Sequence, residues 1–293
     1  MEFSATKIVF NNNLEEFEDT DLEKLLEKLQ EKLNRMGLSV EKEDLKNAEV
    51  NAVHFSKNLR LESGYTSSGV ISEINKVAPR TSFDMSKVKY DGGGESVCLH
   101  SNSHEFIIYD KIADLTKPKS LAIDKLKIEG KKDLKESFKG VEVLRLEARL
   151  NKPKKKKETL KKFGIETQTL KNVFSKELSR KILIDYWENE IKKYASGLLM
   201  IEQTPTNIFQ TLKINGIKPR KAIFMTGIVF MARDKNLREI KSDFPGRKWS
   251  DLKKDLKIAD DILSKGKIRN WVKQIDNGLN KFETFTIAMT KPP

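Results

Sequence analysis

Within the stretch Val141-Glu-Val-Leu-Arg-Leu-Glu-Ala-Arg-Leu150, apolar and charged residues alternate strictly from Leu144 to Leu150. Leu144, Leu146, Ala148 and Leu150 fall on one side and Arg145, Glu147 and Arg149 on the other, because successive side chains of a strand point to opposite faces. A chain carrying this segment must build a sheet with one buried face and one charged face. Further strand candidates are Phe3 to Phe10, Val50 to Ser56, a weaker run from Gly69 to Ile74, Glu95 to His100 and Glu105 to Ile112. Turn chemistry at Asn11-Asn12-Asn13, Gly92-Gly93-Gly94 and Ser101-Asn102-Ser103 separates them, and strands joined by such short turns pair antiparallel.

Between the first two strand candidates, Thr20 and Glu23 have capping-box spacing. Leu22, Leu25, Leu26, Leu29, Leu33 and Met36 then form an apolar stripe at helical period, and Gly37 stands where a C-terminal cap belongs. This predicts a helix that covers one face of the sheet. Beyond Lys152 the period is almost wholly helical: Leu170 to Tyr194, Asn207 to Leu212, Arg220 to Ala232, Trp249 to Lys265 and Lys267 to Asn277. The expected architecture is α+β, an antiparallel sheet with helices on one face over residues 1–151 and a mainly helical domain over 152–293.

Charge narrows the function classes. The 293 residues include 56 Lys and Arg against 43 Asp and Glu, a net +13, which attracts polyanions such as nucleic acid. The longest apolar run, Ala222 to Ala232, is about half of the ~20 residues a spanning helix requires, so no membrane partner is expected. One cysteine, Cys98, permits no intrachain disulfide, and with only His54, His100 and His104 a zinc finger cannot be assembled. These features suit a reducing, cytoplasmic compartment and a hard cation held by oxygen.

Three clusters could carry chemistry. In Glu105-Phe-Ile-Ile-Tyr109-Asp-Lys111, Tyr109 and Lys111 would share one side of a strand. A phenol ionises near ~10, so a tyrosine nucleophile requires a cation beside it, which Lys111 would supply; the plain alternative is a half-buried strand aromatic next to an edge charge. Arg145 and Arg149 could clamp phosphates while Glu147 between them ligates Mg²⁺ or Mn²⁺, or the three could form ion pairs on a solvated face. His54 sits among small and apolar strand residues, as a metal ligand or a satisfied core side chain. Tyr90 is the fallback nucleophile, and His104 could approach from a hairpin end.

The ordered set Ser103-His-Glu-Phe-Ile-Ile-Tyr109-Asp-Lys111-Ile-Ala-Asp114, a lysine-rich spacer, Val143-Leu-Arg-Leu-Glu-Ala-Arg149 and Leu160-Lys-Lys-Phe-Gly164 resembles the rolling-circle replication initiators of filamentous phages, and more widely those of phages and plasmids. The resemblance covers about residues 48 to 175. It implies a replication-initiator or relaxase-like sheet on which Tyr109 attacks a DNA phosphodiester, becomes joined to the 5′ phosphate and releases a 3′ hydroxyl for a polymerase. It implies Lys111 as stabiliser of developing charge, Glu147 as ligand of Mg²⁺ or Mn²⁺, and Arg145 and Arg149 on the DNA. His54 stands where the phage initiators carry an Asp, as a second ligand. Single-stranded and origin DNA would be the partners, together with a host helicase and polymerase. The run Lys154, Lys155, Lys156 and Lys157 would neutralise DNA backbone or serve as a solvated linker. A non-catalytic DNA-binding protein, such as a repressor or partition factor, is the competing reading, and a conjugative relaxase or transposase would use the same chemistry. A helix-turn-helix could lie around Gly216 or within Leu252 to Leu263.

Overall fold

A computed structural model describes residues 2–62, 64–76, 83, 89–91, 95–116, 138, 140–192, 204–234, 237–244, 246–263 and 269–290. The Gly92–Gly94 turn, most of the lysine-rich spacer and Tyr194 lie outside them. Among the described residues one antiparallel sheet forms from β1 (Val53–Arg60), β2 (Lys89–Asp91), β3 (Ser96–His100), β4 (Glu105–Asp110) and β5 (Val143–Leu150), in the order β1-β5-β4-β3-β2. The helices that precede β4 in the chain or follow it directly are α1 (Ala5–Phe10), α2 (Leu22–Arg35), α3 (Lys42–Asn47), α4 (Ser67–Asn75) and α5 (Lys111–Thr116). After β5 come α6 (Pro153–Lys162), α7 (Leu170–Val173) and α8 (Lys176–Tyr186), the last running into a π-helical turn, Trp187–Lys192. The remainder are α9 (Pro205–Ile214), α10 (Pro219–Asp234), α11 (Leu237–Asp243), α12 (Arg247–Leu263) and α13 (Asn270–Lys281). The chain is thus α+β, and no described helix is long and apolar enough to cross a membrane.

Alternation decides which sheet face is buried. Phe55, Leu59, Val97, Leu99, Phe106, Ile108, Leu144, Leu146, Ala148 and Leu150 enter one core with Val70, Ile71 and Ile74 of α4, Leu160 of α6, Leu178, Ile182 and Leu183 of α8, and Trp271, Val272, Ile275 and Leu279 of α13. This core therefore draws on residues from both sides of position 151. A separate cluster joins Ile208 and Leu212 of α9, Ala222, Met225 and Val229 of α10, Ile240 of α11, and Leu252, Leu256 and Leu263 of α12.

Several sequence expectations are corrected. Residues 5–10 are helical rather than a strand; the six-residue helix pairs its own backbone groups, and Val9 packs with Leu25, Leu26 and Leu29 of α2. The α2 stripe accordingly fills a cluster with α1 and α3 instead of covering the sheet. That helix begins at Leu22, and the reciprocal cap before it is made by Glu18 and Asp21, not by Thr20 and Glu23. Gly37 does close the helix end, with φ +80 and its N–H on the Asn34 carbonyl. The weak 69–74 strand is α4: Thr66 Oγ1 accepts from Gly69 N–H, and Val70, Ile71 and Ile74 are buried at helical spacing. The long helix expected from Leu170 breaks at Phe174 and restarts at Ser175, whose hydroxyl accepts from Leu178 N–H.

The outer strand β1 is sealed by the two ends of the chain. Glu16 accepts from the Asn58 backbone N–H at 2.5 Å and from Lys57 Nζ. Glu16 N–H donates to the Phe285 carbonyl, Phe285 N–H donates back to the Glu16 carboxylate at 3.0 Å, and Asn58 Nδ2 donates to the Leu14 carbonyl at 2.6 Å. An unprotected strand edge invites pairing with another chain, which this strap prevents.

Candidate active site

The second face of the sheet carries the polar residues. Register sets His54 opposite Arg149, Ser56 opposite Glu147 and Asn58 opposite Arg145 across β1 and β5. On the other side of β5, Glu105 faces Arg149, Ile107 faces Glu147 and Tyr109 faces Arg145. Tyr109, Glu147, Arg145, Arg149 and His54 are thereby brought to one patch by backbone pairing alone.

Glu147 is its centre, with 5% of its surface exposed. Its Oε2 accepts the Tyr109 hydroxyl at 3.0 Å, and its Oε1 accepts Arg149 Nε at 2.7 Å. Arg145 Nε lies 3.5 Å from Oε2 and His54 Nδ1 3.5 Å from Oε1. Burial alone would raise the Glu147 carboxyl, but His54, Arg145 and Arg149 outweigh it and hold the group well below the usual carboxylate range. It is ionised at any physiological pH.

The arginines differ in freedom. Arg145 Nη1 donates to the Asn13 carbonyl at 2.8 Å and Nη2 to Ser56 Oγ at 2.6 Å, while its Nε is buried with no hydrogen-bond partner. Arg149 is half-buried and also reaches Glu105 at 3.6 Å. Instead of a solvated outer row, these charges form a network whose Arg145 end lies under the N-terminal strap and whose Arg149 and His54 end opens to solvent.

Burial pushes the Tyr109 phenol well above its ordinary 10; Arg145 opposes this, and the Glu147 charge adds to it. The resting hydroxyl is protonated and aimed at a carboxylate.

Lys111 requires correction. It is the first residue of α5 and does not continue the β4 alternation, because the strand ends at Asp110, whose side chain accepts from Ala113 N–H at 2.9 Å and starts the helix. The helix nonetheless brings Lys111 Nζ to 5.5 Å from the Tyr109 ring centroid and 3.0 Å from Asp114. Only 1% of Lys111 is exposed, and burial, then Arg145, lower its ammonium to about 8 despite Asp114. A base whose folded pKa lies below its unfolded 10.5 destabilises the fold when charged, so stability from this group is present above 10.5 and lost as pH falls through 8. Relative to Lys111→Met, the wild type should gain about 3 kcal/mol of unfolding free energy between pH 7.5 and 10.5, read by chemical denaturation of both proteins.

The lysine run is neither a linker nor a uniform basic stripe. Lys154, Lys155 and Lys157 sit on α6, whose Pro153 occupies the first helical turn, but Lys156 is 1% exposed and donates to the Val50 carbonyl. It faces the protein because α6 packs on β5 through Leu160. His104 is likewise removed from the site: its ring stacks between Phe83 and Tyr186 on the opposite side of the sheet, with Nδ1 2.7 Å from Ser101 Oγ. The Tyr90 side chain lies outside the described residues.

Sequence reasoning missed Asn13, Ser56, Asn58, Glu105 and Asp114, the partners of the charged groups. The polar alternation His54-x-Ser56-x-Asn58 was the available clue, since a strand with this pattern beside β5 must share its charged face.

A metal has limited accommodation. Among the described residues no group of three or more His, Cys, Asp or Glu side chains gathers to hold one. Glu147 Oε1 and His54 Nδ1 offer two facing donors, and a hard cation commonly completes two protein donors with water and substrate phosphate. Arg149 Nε occupies the same Oε1 at 2.7 Å. Comparison with protein-family models, curated proteins and solved structures gives no significant match.

Proposed function

We propose that this protein nicks and rejoins single DNA strands to initiate rolling-circle replication, with Tyr109 as the nucleophile. The observation that carries the reading is the Tyr109 hydroxyl held 3.0 Å from Glu147, beside an Arg145 Nε that makes no hydrogen bond and faces the same carboxylate oxygen at 3.5 Å. In the reaction the phenolic oxygen forms a bond to phosphorus, and the bond from phosphorus to the 3′ oxygen breaks. The products are a 5′ phosphotyrosine and a 3′ hydroxyl, and attack by that hydroxyl reverses the step.

The charge network supplies a trigger. A phosphate that takes Arg149 and Arg145 Nε as partners withdraws both cations from Glu147, whose proton affinity then rises as the phenol must lose its proton. Arg145 stabilises the phenolate and, with Lys111, the charge growing on the phosphoryl oxygens. Mg²⁺ or Mn²⁺ on Glu147 and His54, when bound, would polarise the scissile phosphate. The DNA partners under this reading are single strands and an origin duplex, and the released 3′ hydroxyl would serve a host polymerase working behind a helicase.

The test is a labelled single-stranded circle incubated with protein and Mn²⁺, followed by denaturing electrophoresis. A label that stays attached to protein, removable with Tyr109→Phe, supports the reading; strand cleavage without an adduct refutes it. One observation favours a non-catalytic DNA-binding protein instead: the buried phenol and ion pairs also serve as a lattice tying β4 to β5. Binding without any adduct would establish that role.

The basic helix α6 gives a quantitative expectation. Replacing Lys154, Lys155 and Lys157 with Gln should flatten the slope of log affinity against log salt by about 2 to 3 units on duplex DNA. Lys156 is excluded, since its ammonium is spent on Val50. A slope change under about one unit would show that α6 does not lie on the DNA.

A further inference from the structure

The segment Gln203 to Arg233 contains no acidic residue in a chain that has 43, yet holds Lys213, Lys218, Arg220, Lys221 and Arg233. Residues 204–234 form α9, a short turn and α10. The turn Asn215-Gly216-Ile217-Lys218 needs Gly216, at φ +84, to reverse direction, and Gly216 N–H and Ile217 N–H close the helix end on the Lys213 and Leu212 carbonyls. Ile208 and Leu212 pack against Ala222, Met225 and Val229, and α12 supports both helices.

The outward face of α10 is unusual for a surface helix. Ile223 is 62% exposed and Phe224 45%, and Gly227 has open space where a side chain would stand. At the N-terminal end Lys218 and Arg220 are exposed, while Lys221 is tied to Asp255 of α12 at 2.6 Å. Cations at the start of a helix work against its dipole, and an external anion at Lys218 and Arg220 would offset that cost, as Asp255 does for Lys221.

We infer that α9 and α10 form a helix-turn-helix whose second helix, α10, enters the major groove of duplex DNA. Two helices joined by a short glycine turn are the framework of such readers, in which the N-terminal part of the second helix meets base edges. Lys218 and Arg220 then contact phosphate or guanine, Ile223 and Phe224 meet thymine methyl groups, and Gly227 lets the helix backbone approach closely. The inference rests on the proposed DNA chemistry only in naming DNA as the polyanion; it does not require Tyr109 to cleave.

The experiment measures equilibrium binding of the full chain to a short mixed-sequence duplex and to its single strand over a range of salt, without metal, so that cleavage plays no part. Lys218→Gln with Arg220→Gln should weaken duplex binding and flatten its salt slope by about 1 to 2 units, with less effect on the single strand. Phe224→Ser, at an exposed position, should leave the melting temperature and the slope unchanged while altering which sequences are enriched from a random duplex pool. Unchanged duplex binding and unchanged enrichment would overturn the inference, as would equal losses on duplex and single strand. A change of oligomeric state in Ile223→Ser by light scattering would also overturn it, marking the face as a protein interface.

Discussion

Tyr109→Phe is expected to abolish adduct formation and nicking, a loss of more than about 10³-fold, the scale on which removing a nucleophile acts. The phenylalanine ring keeps the same volume among the same neighbours, so only the hydroxyl and its hydrogen bond to Glu147 are lost. That bond goes to a charged acceptor; Arg149 keeps Oε1, and Oε2 retains the Arg145 Nε at 3.5 Å, so unfolding free energy should fall by about 1 to 2 kcal/mol. Gel assays for attached protein and denaturant melts on the same preparation check both halves. A variant that still forms the adduct would reassign the nucleophile, and an inactive variant that has lost several kcal/mol would make Tyr109 a structural residue.

Glu147→Gln should have the largest effect on stability. Two buried or half-buried arginines face this single carboxylate, and removing its charge leaves them uncompensated in a poorly solvated place. Breaking one partner of such a network costs about 3 kcal/mol or more. Because Glu147 carries a folded pKa below its unfolded 4.5, its stabilisation is complete above pH 4.5 and is lost as pH falls further. The gap between wild type and variant should therefore be wide at pH 7 and shrink in acid. Nicking should vanish as well, measured at a temperature where circular dichroism shows the variant folded. Mn²⁺ titration calorimetry on that folded variant then separates the roles: retained metal affinity would leave Glu147 as proton acceptor and ion-pair partner alone. A stability change under about 1 kcal/mol would show that the network has no net structural worth.

Local chemistry made the sheet legible. The strict alternation of Leu144 to Leu150 dictates a two-faced strand whatever surrounds it, and the same period placed Glu147 with Arg145 and Arg149. Gly37 and Gly216 mark helix ends for a backbone reason, since a positive φ costs other residues energy. Where periods were short, tertiary packing chose. Residues 5–10 and 69–74 fit either a strand or a helix as sequences, and α2 and the sheet core made them helices by offering faces to bury against.

The site divides in the same way. The sequence by itself determined which charges share a strand face, because side-chain direction on a strand is a local property. Only the tertiary structure decided how those charges are used. Register brought Tyr109, His54 and Ser56 from other strands to Glu147 and Arg145, and the start of α5 turned Lys111 off the strand but back toward the phenol. Residues 13–16 cover Arg145 and Asn58, while Arg149 stays half-buried and His54 exposed at the rim of the same network. Burial depends on segments distant in the chain. It also sets the proton affinities of Tyr109, Lys111 and Glu147, so their chemistry could not be read from spacing alone.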